Sequence, residues 1–282
     1  MSLALFLLVL LAAFFHAVWN VLVKGGGNPL FETGLVALGA FFPALLAVFF
    51  LPLPTREALP WLFASALIHS VYYAFLAVSF GRTELVFSYT LMRGLAPVLT
   101  SLVLMLTGVV LGALALTGVL LLCTGVFCLA FEHRSGTVSL SALWQDLLAP
   151  LATAVVISIY TLVDGYGARG CGNPFSYACW LFVLQMVPVN IFLLLRYRER
   201  YLSYGRSRLS ACFLGGMGSF LSYTIAIYAM TCAPIALVAA LRESSVVFGM
   251  LLAVFFLHER MTVLRLTSVL LVLLGAVMIR LA

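Results

Sequence analysis

Ten apolar runs follow one another along this chain, over residues 3 to 23, 31 to 51, 59 to 80, 85 to 106, 110 to 131, 147 to 166, 174 to 195, 209 to 230, 234 to 256 and 262 to 281. Each approaches the ~20 residues that one helical crossing of a bilayer needs. In hydrocarbon a backbone must bond its own N–H and C=O groups, so runs of this length are expected as helices. Links such as GRTE around Arg82 and TCAP at Pro234 are so short that their neighbours form tight antiparallel hairpins; only residues 132 to 146 and 196 to 208 make longer connections. Of 282 residues, 65% are hydrophobic and 9% charged, where a soluble domain carries about 25% charge. The expected class is therefore all-α and polytopic, an integral multi-pass membrane protein whose partner is the lipid bilayer. A soluble enzyme on an anchor, a nucleic-acid-binding protein and a secreted disulfide scaffold are excluded. Leu3 to Val23 is read as a first span, because no basic leader or small-residue cleavage site accompanies it.

The runs divide into two similar halves. Gly27-Asn28-Pro29 opens one link and Gly172-Asn173-Pro174 its counterpart; Thr117-Gly118-Val119-Leu120-Leu121 matches Thr267-Ser268-Val269-Leu270-Leu271 at an offset of 150, and Arg93 matches Arg242 at 149. Residues 1–137 and 147–282 are thus expected as repeats of five helices each. Five is odd, so the second repeat enters the membrane upside down. Such inverted repeats build a shared cavity near the midplane and expose it to either side by rocking, which predicts transport. One face of the links carries ten basic residues (Lys24, Arg82, Arg134, Arg196, Arg198, Arg200, Arg206, Arg208, Arg260 and Arg265), and the other only Arg56, Arg169 and Arg280. By that count the termini lie outside the cytoplasm.

Arg93, Arg242 and Glu243 fall inside spans. A central charge costs ~2.5–3.5 kcal/mol on insertion scales, so these three face protein, water or one another. Two arginines at matching depth offer a pair of forked donors for a carboxylate or phosphorus oxyanion. A buried network in which Glu243 merely neutralises one arginine is the structural alternative; Glu243 is also the candidate for taking a proton during a cycle. His16, Asn20 and Lys24 recur every four residues on the first span, with Trp19 beside them. Tyr160 is the repeat mate of Trp19, and Asp164 follows one turn later. His69, Tyr72, Tyr73 and Leu76 share one face, Tyr89 precedes Arg93 by a turn, and Tyr223 adjoins Gly215, Gly218, Ser219 and Ser222. These aromatics either line a cavity or pack helices together, and the small residues suit close packing. Pro97 and Gly94 are expected to open the fourth helix locally.

The six cysteines form no CxxC pair, and no metal site, cofactor, Walker loop or nucleophile constellation is present in the sequence. An enzyme is not expected, and any drive comes from an ion gradient or exchange. His258-Glu259-Arg260 reads as a solvated turn.

Together, RGLAP in the first half and APIALVAALRESSVVFGMLLAVFFLHER in the second resemble EamA-type members of the drug/metabolite transporter superfamily, across essentially the whole chain. HAVWN, YTLMRGLAP, YTLVDGYGAR, WLF and ALRESSV are similar to a branch of phosphonate-utilisation-associated membrane proteins. The resemblance implies a secondary transporter for a small anionic or zwitterionic metabolite, coupled to protons or solute exchange, in a bacterial inner membrane as a monomer or homodimer. It matches the family's acidic residue to Glu259, which the first half lacks at Leu106-Thr107-Gly108-Val109-Val110, and it implies cytoplasmic termini, against the charge count. A rival keeps the fold but exports amphipathic or aromatic compounds, with the arginines structural; a membrane scaffold or receptor is more remote.

Overall fold

The structure is a computed structural model that describes residues 1–24, 26–82, 85–131, 140–257 and 262–282, without the side chains of 23–24, 77–89, 130–131, 140–146 and 253–257. Among the described residues there are eleven helices and no strand: α1 (Leu3–Lys24), α2 (Pro29–Val48), α3 (Leu59–Arg82), α4 (Leu85–Leu106), α5 (Ala113–Phe131), α6 (Leu140–Gly170), α7 (Pro174–Ser207), α8 (Leu209–Cys232), α9 (Ile235–Arg242), α10 (Ser245–Leu257) and α11 (Val263–Leu281). Eight segments are long and apolar enough to cross a membrane, one of them running from α9 into α10, and Thr90–Leu106 and Ala113–Leu129 add two shorter apolar helices. Over the described residues the protein is thus an all-helical, multi-pass membrane protein with eight candidate crossings and two further short apolar helices.

The two G-N-P links start helices in the same way. Asn28 Oδ1 accepts from the N–H groups of Leu30 and Phe31 at 3.1 and 3.2 Å, and Asn173 Oδ1 from Phe175 and Ser176 at 3.0 and 3.1 Å. Each asparagine caps two donors that the first turn leaves open, and the following proline has no N–H to lose.

Three boundaries differ from expectation. Helix α6 runs from Leu140 to Gly170, well past both ends of the predicted span. Helix α7 runs on to Ser207, bending at Tyr197 (φ −134, ψ 19), where the sequence suggested an arginine-rich link. Leu, Arg and Glu suit a helix there, and the spacing of Tyr197, Tyr201 and Tyr204 puts three rings on one face, each edge-on to Phe31 of α2 at 5.6 Å. Finally, the ninth span, read as continuous, breaks between Arg242 and Ser245.

The principal contacts run between halves: α5 against α11, α1 against α8, α3 against α6 and α2 against α7. Small residues permit the closest of them. A Cβ on Gly275 would stand 2.6 Å from the Gly118 carbonyl oxygen, so α5 and α11 meet backbone to backbone. Helix α8 uses its small face in the same way, with Ser222 Oγ donating to the Ala12 carbonyl at 2.8 Å and Gly218 lying under Trp19. Large apolar side chains such as Phe49, Phe50 and Leu195 point outward, while His16, Glu32, His69, Arg93, Asp164, Gln185, Asn190, Arg242 and Glu243 are buried. That inside-out distribution fits a molecule whose solvent is hydrocarbon.

Candidate functional site

Helices α4, α6 and α9 converge on a central hollow lined by Arg93, Ala96, Pro97, Thr100, Ile157, Thr161, Ala239, Arg242 and Glu243. It has about 10 Å³ of room for the centre of a water-sized sphere, the space of roughly one water. Both arginines and the glutamate reach it, and all three are buried, at 5, 6 and 4% exposure.

The charges are held unequally. Arg93 Nε lies 2.7 Å from Glu243 Oε2, and Arg93 Nη2 donates to Ser245 Oγ at 3.4 Å. Arg242 instead lies over the Tyr223 ring, 4.8 Å from its centroid, and its Nε is buried without a hydrogen-bond partner among the described residues. Adjacent helical residues point about 100° apart, so Glu243 reaches across to α4 rather than back to its sequence neighbour. One arginine is neutralised; the other keeps donor capacity toward the hollow.

The break in the ninth span falls at these residues. Glu243 N–H donates to the Ala240 carbonyl at 3.0 Å and Ser244 N–H to Leu241 at 3.1 Å, bonds to the third residue back rather than the fourth. The Ser244 hydroxyl also donates to the Leu241 carbonyl. Serine side chains compete in this way for helical carbonyls, and the tightened turn separates α9 from α10. Irregular backbone at membrane depth is tolerated where protein buries it or a cavity adjoins it. On the first-half side α4 stays helical through Gly94 and Pro97, so the expected opening there does not occur.

Beside the hollow stands an aromatic cluster that includes a carboxylate. His69 stacks on Tyr160 at 4.3 Å and meets Tyr223 edge-on at 5.8 Å, while Tyr72 adjoins Tyr160 at 5.6 Å and Tyr73 at 5.4 Å. Asp164, fully buried, accepts from the Tyr177 hydroxyl at 3.0 Å and, at its other oxygen, from the Tyr223 hydroxyl. Tyr73, Tyr160, Asp164 and Tyr223 thus come together.

His16 is buried and feels the field of both arginines. Trp19 Nε1 donates to His16 Nδ1 at 3.3 Å, and Asn20 Nδ2 donates to the His16 carbonyl at 2.7 Å. Part of that polar stripe is therefore satisfied within α1. Tyr89 lies on α4, but its side chain, like those of Lys24 and Arg82 and the whole of His258-Glu259-Arg260, lies outside the described residues.

The sequence did not single out Tyr177, whose spacing carries no signal until α7 packs beside α6. It also missed a second buried charge cluster. Glu32 on α2 accepts from Tyr204 Oη at 2.6 Å and Arg208 Nε at 2.8 Å, and Arg208 Nη2 reaches the Leu22 carbonyl at 3.2 Å. A glutamate one turn into an apolar span was the available clue. This cluster joins the two halves at one end of the molecule. At the other, Thr55 Oγ1 donates to the Gly170 carbonyl at 2.8 Å and Ser176 Oγ to the Pro52 carbonyl at 2.5 Å. Both ends of the helix bundle are thus tied by hydrogen bonds between the N- and C-terminal halves of the chain.

Comparison with known proteins bears on the half that holds Arg242 and Glu243. Residues 143–281 match the EamA-like transporter family. The match covers just under half of the chain and supports the resemblance to the drug/metabolite transporter superfamily. The curated proteins yield no match. A solved structure, described as the crystal structure of a protein, superposes with a TM-score of 0.78 over 100% of this chain and 98% of the other at 18% identity. At that identity the likeness is one of fold, and it extends over the whole chain.

Proposed function

We propose that the whole chain is a secondary transporter of the EamA type, built from inverted five-helix units at residues 1–137 and 147–282, that moves a small anionic or zwitterionic metabolite by alternating access. The carrying observation is that Arg93 and Arg242, matched between the halves, reach one hollow at the point where the ninth span breaks. Discontinuous helices meeting near the midplane are where inverted-repeat transporters place their sites. In this structure Glu243 occupies Arg93; an incoming oxyanion takes Arg242 first and then competes for Arg93, releasing the Glu243 carboxylate. His16, Trp19, Asn20, Tyr73, Tyr89, Tyr160, Asp164 and Tyr223 are the further cavity residues. Phosphonates are the first probes, given the branch that the sequence resembles. An ion gradient or exchange drives the cycle, and the setting is a bacterial inner membrane, with the chain as monomer or homodimer.

A thermal-shift screen of purified protein against alkylphosphonates, amino acids and nucleotide sugars tests this, because a bound ligand raises the midpoint by mass action. A charged ligand whose shift vanishes in Arg93→Gln and Arg242→Gln supports the clamp. The Arg93 to Glu243 ion pair favours one rival, an exporter of aromatic compounds with structural arginines; an aromatic ligand retained by both variants would select it.

A further inference from the structure

We propose that Asp164 is the proton-carrying group of this transporter, and that it takes up its proton together with the transported anion, so that the two move as cotransported ions rather than in exchange. The inference rests on the anion-clamp reading for its second part only. The proton site itself stands on the surroundings of the carboxyl.

Asp164 is completely buried. Among the described residues no cation lies within ion-pair distance of it, the ion pairs there being Arg93 with Glu243 and Arg208 with Glu32. Its contacts are the phenol hydroxyls of Tyr177 from α7 and Tyr223 from α8, with the Ser65 hydroxyl of α3 beside them. Hydroxyl donors at both oxygens and the His69 imidazole nearby favour the ionised form, and complete burial favours the protonated one, so this carboxyl is poised to exchange a proton. Glu243 is the contrasting case: it has the Arg93 guanidinium at 2.7 Å as an ion-pair partner.

The neighbouring charged and titratable groups set the sign of the coupling. Around Asp164 they are His69 on α3, Tyr160 on α6 itself, Tyr177 on α7 and Tyr223 on α8, and around Tyr160 in turn Arg93 on α4, Arg242 on α9 and Glu243 just after it. The closest link to the hollow is Tyr223, which bonds Asp164 through its hydroxyl and carries the Arg242 guanidinium on its ring. With Asp164 protonated, the set Arg93, Arg242, Glu243 and Asp164 carries one net positive charge, which a monoanion neutralises. With Asp164 ionised the set is already neutral. Anion and proton therefore each strengthen the binding of the other, and by linkage the effect is reciprocal. The balance is simple: the carboxylate gains one proton as the anion binds, and loses it on the far side as the anion leaves. Asp164 lies one helical turn along α6 from Thr161 in the hollow's wall, toward the end where Gly170 meets Thr55. That end is the expected route for the proton.

Two measurements test the proposal. The first needs no ligand: infrared difference spectra of the lipid-reconstituted protein between mildly acidic and mildly alkaline pH. A buried protonated-carboxyl C=O band is expected that is lost in Asp164→Asn, persists in Glu243→Gln, and moves to higher frequency in Tyr223→Phe as one phenol donor is removed. A band that survives Asp164→Asn, or no band in the wild type, overturns the proton site. The second uses methanesulfonate, whose charge does not change over this pH range. Its affinity is expected to rise on the order of tenfold from alkaline to acidic pH, to be pH-independent and tight in Asp164→Asn, and to keep its pH dependence in Glu243→Gln. Affinity that falls on acidification, or that keeps its pH dependence in Asp164→Asn, overturns cotransport. If no sulfonate binds at any pH, the clamp fails and cotransport with it, while the infrared band still decides Asp164.

Discussion

At the residue scale the central question is how three buried charges are tolerated. Their presence inside apolar runs was visible in the sequence, and so was the cost of leaving them alone. Their partners were not. Glu243 is covalently next to Arg242 yet pairs with Arg93, because helical geometry turns neighbours apart and brings α4 and α9 together. The pairing has a measurable consequence. Arg93→Gln leaves Glu243 without its ion-pair partner and is expected to cost about 3–5 kcal/mol. Adding Glu243→Gln removes the stranded charge and is expected to recover most of that loss. Denaturant unfolding of the two single variants and the double variant in one detergent gives the coupling directly.

At the element scale the sequence located the helices well and their interruptions poorly. Helix starts were legible where chemistry is local: Asn28 and Asn173 each cap their own first turn. Replacing either by alanine is expected to cost about 0.5–2 kcal/mol, with similar values for the two, read as loss of thermal midpoint. The break after Arg242 was not legible, since VAALRESSVV reads as a continuous apolar-rich helix; the contacts at the break, Glu243 to Arg93 and the Ser244 hydroxyl to the Leu241 carbonyl, appear only in the fold. The continuation of α7 was hidden by its arginines, whose charge obscured the tyrosine stripe that packs on Phe31. Contact between α5 and α11 supplies a sharper test. Gly275→Ala puts a methyl against the Gly118 carbonyl and is expected to destabilise by about 1–3 kcal/mol through overpacking. The exposed neighbour Leu274→Ala, which faces outward, is expected to have a much smaller effect in the same unfolding assay.

At the scale of the whole molecule, hydrogen bonds between the two halves of the chain tie both ends of the helix bundle. Glu32, Tyr204 and Arg208 lie at the end that carries the arginine-rich part of α7. The positive-inside tendency predicts a cytoplasmic position for that end, and Cys232, the exposed one of the six cysteines, is at the opposite end of α8. A membrane-impermeant maleimide is therefore expected to label Cys232 in intact cells, with the signal lost in Cys232→Ser. Labelling only after permeabilisation would reverse the orientation and support cytoplasmic termini instead.

Membrane residence, about ten apolar runs and a pair of arginines within them could all be read along the chain, because run length, hydropathy and motif order are local properties. Tertiary structure decided which charge each arginine meets, where the ninth span breaks, and that Asp164 sits between two phenols. Those outcomes depend on contacts between helices far apart in the chain, and no local pattern of residues encodes the distance between α4 and α9 or the packing of α7 beside α6.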